Sequence, residues 1–80
     1  MSGLPTRVIV EINQAANQFQ SSIVLKVDNR HIDVKSILGL SITLLSNQQY
    51  ELQIHGPDEA EARSVMVELF RKHELSVTLI

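Results

Sequence analysis

Three histidines, nine carboxylates and a scatter of serines are the side chains here whose types suit proton transfer, metal ligation or nucleophilic attack. An imidazole works as a base or ligand when a second group stands at a useful spacing, such as four residues on along a helix. None of the three has one. His31 lies beside a turn, His55 ends an alternating segment, and His73 closes a helical segment, where the helix dipole favours its charged form. They read as surface histidines. The serines show no Gly-x-Ser-x-Gly elbow or acid–histidine pattern, and three glycines make no phosphate-cradling loop. With no cysteine, thiolate metal sites, disulfides and thiol nucleophiles all fall away. Asp58, Glu59 and Glu61 read as helix-start charges rather than as a catalytic pair. The expectation is a protein that is not an enzyme and has neither a metal nor a cofactor.

Ser36 is different. It stands where the hydrophobic period changes from alternation to helical spacing, so it reads as an N-cap whose hydroxyl satisfies a free helix N–H. Capping alone accounts for a serine there. A phosphate on the same hydroxyl would meet the positive end of the helix dipole and change the surface a partner reads.

The elements that position these residues follow from periodicity. Arg7 to Ile12 alternates and carries consecutive β-branched residues, which predicts a strand; Ala15, Ala16 and Phe19 predict a short helix after it. Ile23 to Val27 and His31 to Val34 flank the turn chemistry of Asp28-Asn29-Arg30 and predict a hairpin. A short helix from Ser36, weakened by Gly39, runs to the break at Ser46-Asn47-Gln48. Tyr50 to Ile54 alternates as a strand. Pro57-Asp58-Glu59 opens a long helix with Ala62, Val65, Met66, Leu69 and Phe70 as its stripe. Leu75 to Ile80 alternates again. Helices gathered on one face of an antiparallel sheet of about four strands make an α+β two-layer sandwich.

Eighty residues hold one domain, 1–80, with a thin core. Seven basic residues against nine acidic ones give a net charge of −2, which supports neither a nucleic-acid nor an anionic-membrane partner. Phe19, Tyr50 and Phe70 are too few for a base-stacking platform. The stretch from Ile37 to Leu45 is interrupted by Gly39, Ser41 and Thr43 and falls far short of the ~20 apolar residues of a membrane span. No signal pattern opens the chain. A cytoplasmic protein is expected.

The segment Asp33-Val34-Lys35-Ser36-Ile37-Leu38-Gly39-Leu40 closely resembles the regulatory-serine motif of HPr, the phosphocarrier of the bacterial sugar phosphotransferase system. Ala16 to Ile23 resembles the end of that family's first helix and the start of its second strand, and Gly56 to Ala62 the loop opening its last helix. The likeness covers residues 16–74 and implies the HPr-like sandwich. It also implies that Ser36 is phosphorylated by a dedicated kinase, with the modified form serving a transcription regulator of carbon catabolite repression. The apolar residues after the serine, Ile37, Leu40 and Leu44, are implied as partner contacts, although plain core packing would also explain them.

HPr proteins carry a Gly-Leu-His-Ala-Arg-Pro motif whose histidine accepts the phosphoryl group. Two registers fit the start of this chain. Ungapped, Gly3-Leu4-Pro5-Thr6-Arg7-Val8 falls on the motif, Pro5 replaces the histidine and the first strand is missing. Gapped, Arg7 to Ile12 is strand one and the motif is lost with most of the first helix. The gapped register is preferred, because Val8-Ile9-Val10 is poor helix sequence. Neither puts a histidine at the acceptor position. The expected function is therefore regulatory, without phosphoryl relay. A carrier using another histidine and a remnant without function stand as alternatives. Leu75 to Ile80 is extra to the usual HPr ending and is expected to pair within the sheet or across a homodimer.

Overall fold

The computed structural model describes residues 5–43 and 49–80. Along the chain run α1 (Thr6–Ala16), β1 (Ser22–Val27), β2 (Arg30–Asp33), α2 (Ile37–Thr43), β3 (Gln49–His55), α3 (Glu59–Lys72) and β4 (Ser76–Leu79). The strands form one sheet in the order β2-β1-β3-β4. β1 is antiparallel to β2 and to β3, with Leu25 opposite Ile32 and Leu52, whereas β4 runs parallel to β3, with Val77 opposite Tyr50. The α+β sandwich holds, with one parallel pair in a mostly antiparallel sheet.

One expectation is overturned. Arg7 to Ile12 is not a strand but the first part of α1, and Ala15 and Ala16 close that same helix with Phe19 beyond it, so no separate short helix follows. Its alternation is incidental: Val8, Ile9, Ile12 and Ala16 recur at helical spacing and are the residues α1 buries. The β-branched residues are tolerated because tertiary burial outweighs their few tenths of a kcal/mol of unfavourable helix propensity. Pro5, with φ −59°, precedes the helix as its N-cap, a place where the missing N–H costs nothing.

Alternate residues of the sheet, Ile23, Leu25, Tyr50, Leu52 and Ile54, point to the helices and are fully buried. Against them pack Ile12 and Ala16 of α1, Leu40 of α2, and Ala62, Met66 and Phe70 of α3. The Tyr50 and Phe70 rings meet edge-on with centroids 6.5 Å apart. The opposite sheet face carries Ser22, Lys26, Glu51, Gln53 and His55.

Two corners set the angle of α3. At its start, Asp58 accepts hydrogen bonds from the Gln20 and Ser21 N–H groups, each at 2.9 Å, and from the Ser21 hydroxyl. Those bonds, led by the Ser21 hydroxyl, hold the Asp58 carboxyl below its ordinary pKa. Gly56 adopts φ +152°, and a Cβ there would lie 2.5 Å from the Ser21 Cα, so only glycine permits this approach. At the other end, Leu75 N–H bonds the Phe70 carbonyl and Glu74 N–H bonds the Arg71 carbonyl, both at 2.9 Å. This is a Schellman ending, with Glu74 at φ 60° in the place glycine usually fills. It turns the chain into β4.

Candidate functional site

Ser36 sits between β2 and α2, in a connection fixed from both sides. Asp33 folds it locally: its carboxylate accepts Lys35 N–H at 2.9 Å, and its carbonyl accepts Ser36 N–H at 2.9 Å. Ser36 Oγ then accepts Gly39 N–H at 3.4 Å, and its carbonyl accepts Leu40 N–H at 3.0 Å. That is the capping geometry expected from the sequence. Gly39 has a local reason: a Cβ there would lie 3.2 Å from the Ile32 methyl and 3.7 Å from Ser36 Oγ. Glycine lets this first turn settle against β2.

The second support comes from α1. Asn13 Nδ2 donates to the Val34 carbonyl at 3.1 Å, and Asn17 Nδ2 donates to the Lys35 carbonyl at 3.3 Å. Lys35 answers by donating its Nζ to the Phe19 carbonyl at 2.8 Å. The two residues before Ser36 are thus tied to the last turn of the first helix. Reading the sequence missed Asn13 and Asn17; two asparagines four residues apart on one helix face were the available signal.

Ser36 itself is exposed. None of the hydrogen bonds described at its Oγ involves a histidine or a carboxylate, so no base activates the hydroxyl from within. The apolar residues after Ser36 divide sharply. Ile37 and Leu38 are 42% and 77% exposed, whereas Leu40 is fully buried in the core. Leu40 is therefore withdrawn as a partner contact: its side chain projects toward the sheet, one turn beyond Ser36. Leu38, between Ile37 and Gly39, is the most exposed large apolar side chain described. Leu44 lies outside the described residues.

The head of α1 is the other place where chemistry would be sought. Pro5 caps it with no side-chain hydrogen bond, Arg7 is exposed in its first turn, and no acidic residue lies there. A proline ring offers neither a donor nor a nucleophile at that position. The histidines lie elsewhere. His31 stands opposite Lys26 and His55 opposite Ser22 on the outer sheet face, separated by about 13 Å along β1. His73 follows α3, and its Nε2 lies 2.8 Å from Glu11 Oε1 in α1. Lys72 Nζ reaches the same carboxylate at 3.1 Å, and the Lys72 and His73 hydrogen bonds hold Glu11 below its ordinary pKa. Glu11 is six residues beyond Pro5, about 9 Å along the helix. Beside this ion pair a groove of about 470 Å³ runs between α1 and α3 over Ala15, Val65 and Leu69. No three metal-ligating side chains come together among the described residues.

Comparison with known proteins places this arrangement. The family model for the PTS HPr component phosphorylation site matches residues 1–72. The phosphocarrier protein HPr of Treponema pallidum is 35% identical over 71 residues, 88% of this chain and 81% of that protein. The HPr-like protein Crh of Halalkalibacterium halodurans is 33% identical over 72 residues, 89% of this chain and 86% of that one. The crystal structure of Bacillus subtilis Crh, a catabolite-repression protein seen as an intertwined, domain-swapped dimer, superposes with a TM-score of 0.79 at 30% identity. That match covers 89% of this chain and 83% of the other.

Proposed function

The chain belongs to the PTS HPr family, and we propose that within it the protein is a regulatory member that does not relay phosphoryl groups from phosphoenolpyruvate. The observation that carries this reading is the residue heading α1. In the family the acceptor histidine belongs to the Gly-Leu-His-Ala-Arg-Pro motif. With Arg7 to Ile12 in a helix, the ungapped register becomes the better one, and it puts Pro5 at the histidine's place. An amide nitrogen closed into a ring has no free pair to accept phosphorus. Residues 1–80 are then read as one HPr-like domain in which Leu75 to Ile80 adds a strand after the last helix.

The signal resides in Ser36. A phosphate there adds about two negative charges beside the first N–H groups of α2, with the exposed Ile37 and Leu38 directly alongside. A partner reading both would distinguish the modified from the unmodified form. As in the family, the modifying enzyme is a serine kinase and the reader a transcription regulator of catabolite repression. The protein acts in the cytoplasm, as a binding partner rather than an enzyme. Treatment with the family's serine kinase, followed by mass spectrometry, tests this. One phosphate on the wild-type chain and none on Ser36→Ala is the expected result; an unmodified wild-type chain would reduce Ser36 to a cap.

A second reading concerns self-association through Leu75 to Ile80. It is favoured by the position of β4 at the sheet edge and by the dimeric state of the Crh structure.

A further inference from the structure

Among the described residues β4 is bonded on one side only, to β3. Ile80 N–H donates to the Leu52 carbonyl at 2.9 Å, which fixes the phase of this parallel ladder. Alternate residues of a parallel strand turn both backbone groups to the same neighbour. Thr78 and Ile80 therefore face β3, and the N–H and C=O groups of Val77 and Leu79 face outward.

Edges of this kind are commonly protected by lysine, proline, a bulge or an inward charge. Leu75-Ser76-Val77-Thr78-Leu79-Ile80 contains no charged residue and no proline. Its helix-side residues are incompletely covered: Leu79 lies opposite the fully buried Leu52, yet it is 42% exposed.

We infer that two copies of this chain join along β4, antiparallel, about a two-fold axis through Thr78. The inference rests on reading Leu75 to Ile80 as a self-association surface and specifies its geometry. Opposed residues of an antiparallel pair share a face, so Val77 and Leu79 must meet Val77 or Leu79 of the second copy. Centring on Thr78 sets Val77 against the second copy's Leu79 and Leu79 against its Val77. The four outward backbone groups of each copy are then all paired, in four hydrogen bonds. Centring on Val77 would instead oppose Leu79 to Leu75, whose N–H already bonds the Phe70 carbonyl and whose side chain is buried. With the Thr78 axis the two four-stranded sheets become one, their helix layers lie on the same side, and four apolar side chains close the seam beneath them.

Light scattering across a concentration series, with the intact chain, tests this. The wild type is expected to dimerise. Thr78→Lys places its ammonium across from Glu51 of its own β3, which suits the monomer. At the axis it sets two ammonium groups against each other, so the dissociation constant is expected to rise roughly tenfold or more. Circular dichroism verifies that this variant is folded. Thr78→Cys adds the only thiol of the chain at a non-hydrogen-bonded pair, where Cα atoms stand about 4.5 Å apart, within disulfide range. Oxidation should link it covalently, while Gln53→Cys on the inner strand β3 should not link. A dimer indifferent to Thr78→Lys and unlinked at Thr78→Cys overturns this geometry and leaves self-association standing. A monomer at every concentration overturns both.

Discussion

Asn13 of α1 donates its side-chain amide to the carbonyl of Val34, 3.1 Å away in space and 21 residues away in sequence. With Asn17 on Lys35 one turn later, it makes the first helix the support on which the Ser36 connection rests. The site is thus built across two elements, although the hydroxyl is presented by only one.

Removing that support should loosen Ser36 before it unfolds the domain. Asn13→Ala is expected to cost about 1 kcal/mol, the net worth of one partly buried hydrogen bond. Hydrogen exchange should be faster at the Ser36 and Gly39 amides, with the β1–β3 amides protected as before. Equal acceleration throughout the sheet would mean that Asn13 supports the fold in general and not this connection.

Gly56 and Glu74 make opposite predictions from the same backbone physics. Gly56→Ala forces a Cβ into the Ser21 backbone at a φ that alanine avoids, at an expected cost of about 2–4 kcal/mol. Denaturant unfolding measures it.

Glu74→Gly should instead stabilise, because Glu74 holds a left-handed φ of 60° where glycine is free of strain. A gain of about 0.5–1 kcal/mol is expected by the same titration. A loss would show that the Glu74 side chain contributes more than its backbone strain removes.

Acid should weaken the fold through three carboxylates. Asp58, Glu11 and Glu59 all have lowered pKa values, held down first by the Ser21 hydroxyl, the Lys72 ammonium and the Gly56 N–H respectively. A lowered folded-state pKa means that the unfolded chain binds protons first as pH falls. The stability these groups contribute is complete above the unfolded value, about 4, and is lost as pH drops through the lower folded values. Melting temperature should therefore be insensitive to these groups near neutrality and fall below about pH 4. The slope should be shallower in Asp58→Asn.

Most of the fold was legible because its signals are local. The alternation of Ile23, Leu25 and Val27, the acid-rich start of α3 and the cap at Ser36 each specify an element without reference to the rest of the chain. α1 was misread for a physical reason: Val8, Val10 and Ile12 satisfy period two while Val8, Ile9, Ile12 and Ala16 satisfy a helix, and only the longer stripe decides. Leu40 was read as a partner contact and is core, because a helix of seven residues carries too little periodicity to fix its rotation. The spacing of Asn13 and Asn17 marks a helix face but not what it touches, since their partners are backbone carbonyls, which every residue has. The Ser36 cap needed only its own turn.

On the proposed reading, no side chain here stands in for a phosphoryl-accepting histidine. Incubation of the purified chain with enzyme I and labelled phosphoenolpyruvate, beside an HPr that is known to be labelled, decides the point. No acid-labile label is expected on the protein while the companion HPr is labelled normally. Stoichiometric acid-labile phosphate on His31, His55 or His73, formed at a rate comparable with that of the companion, would contradict that reading.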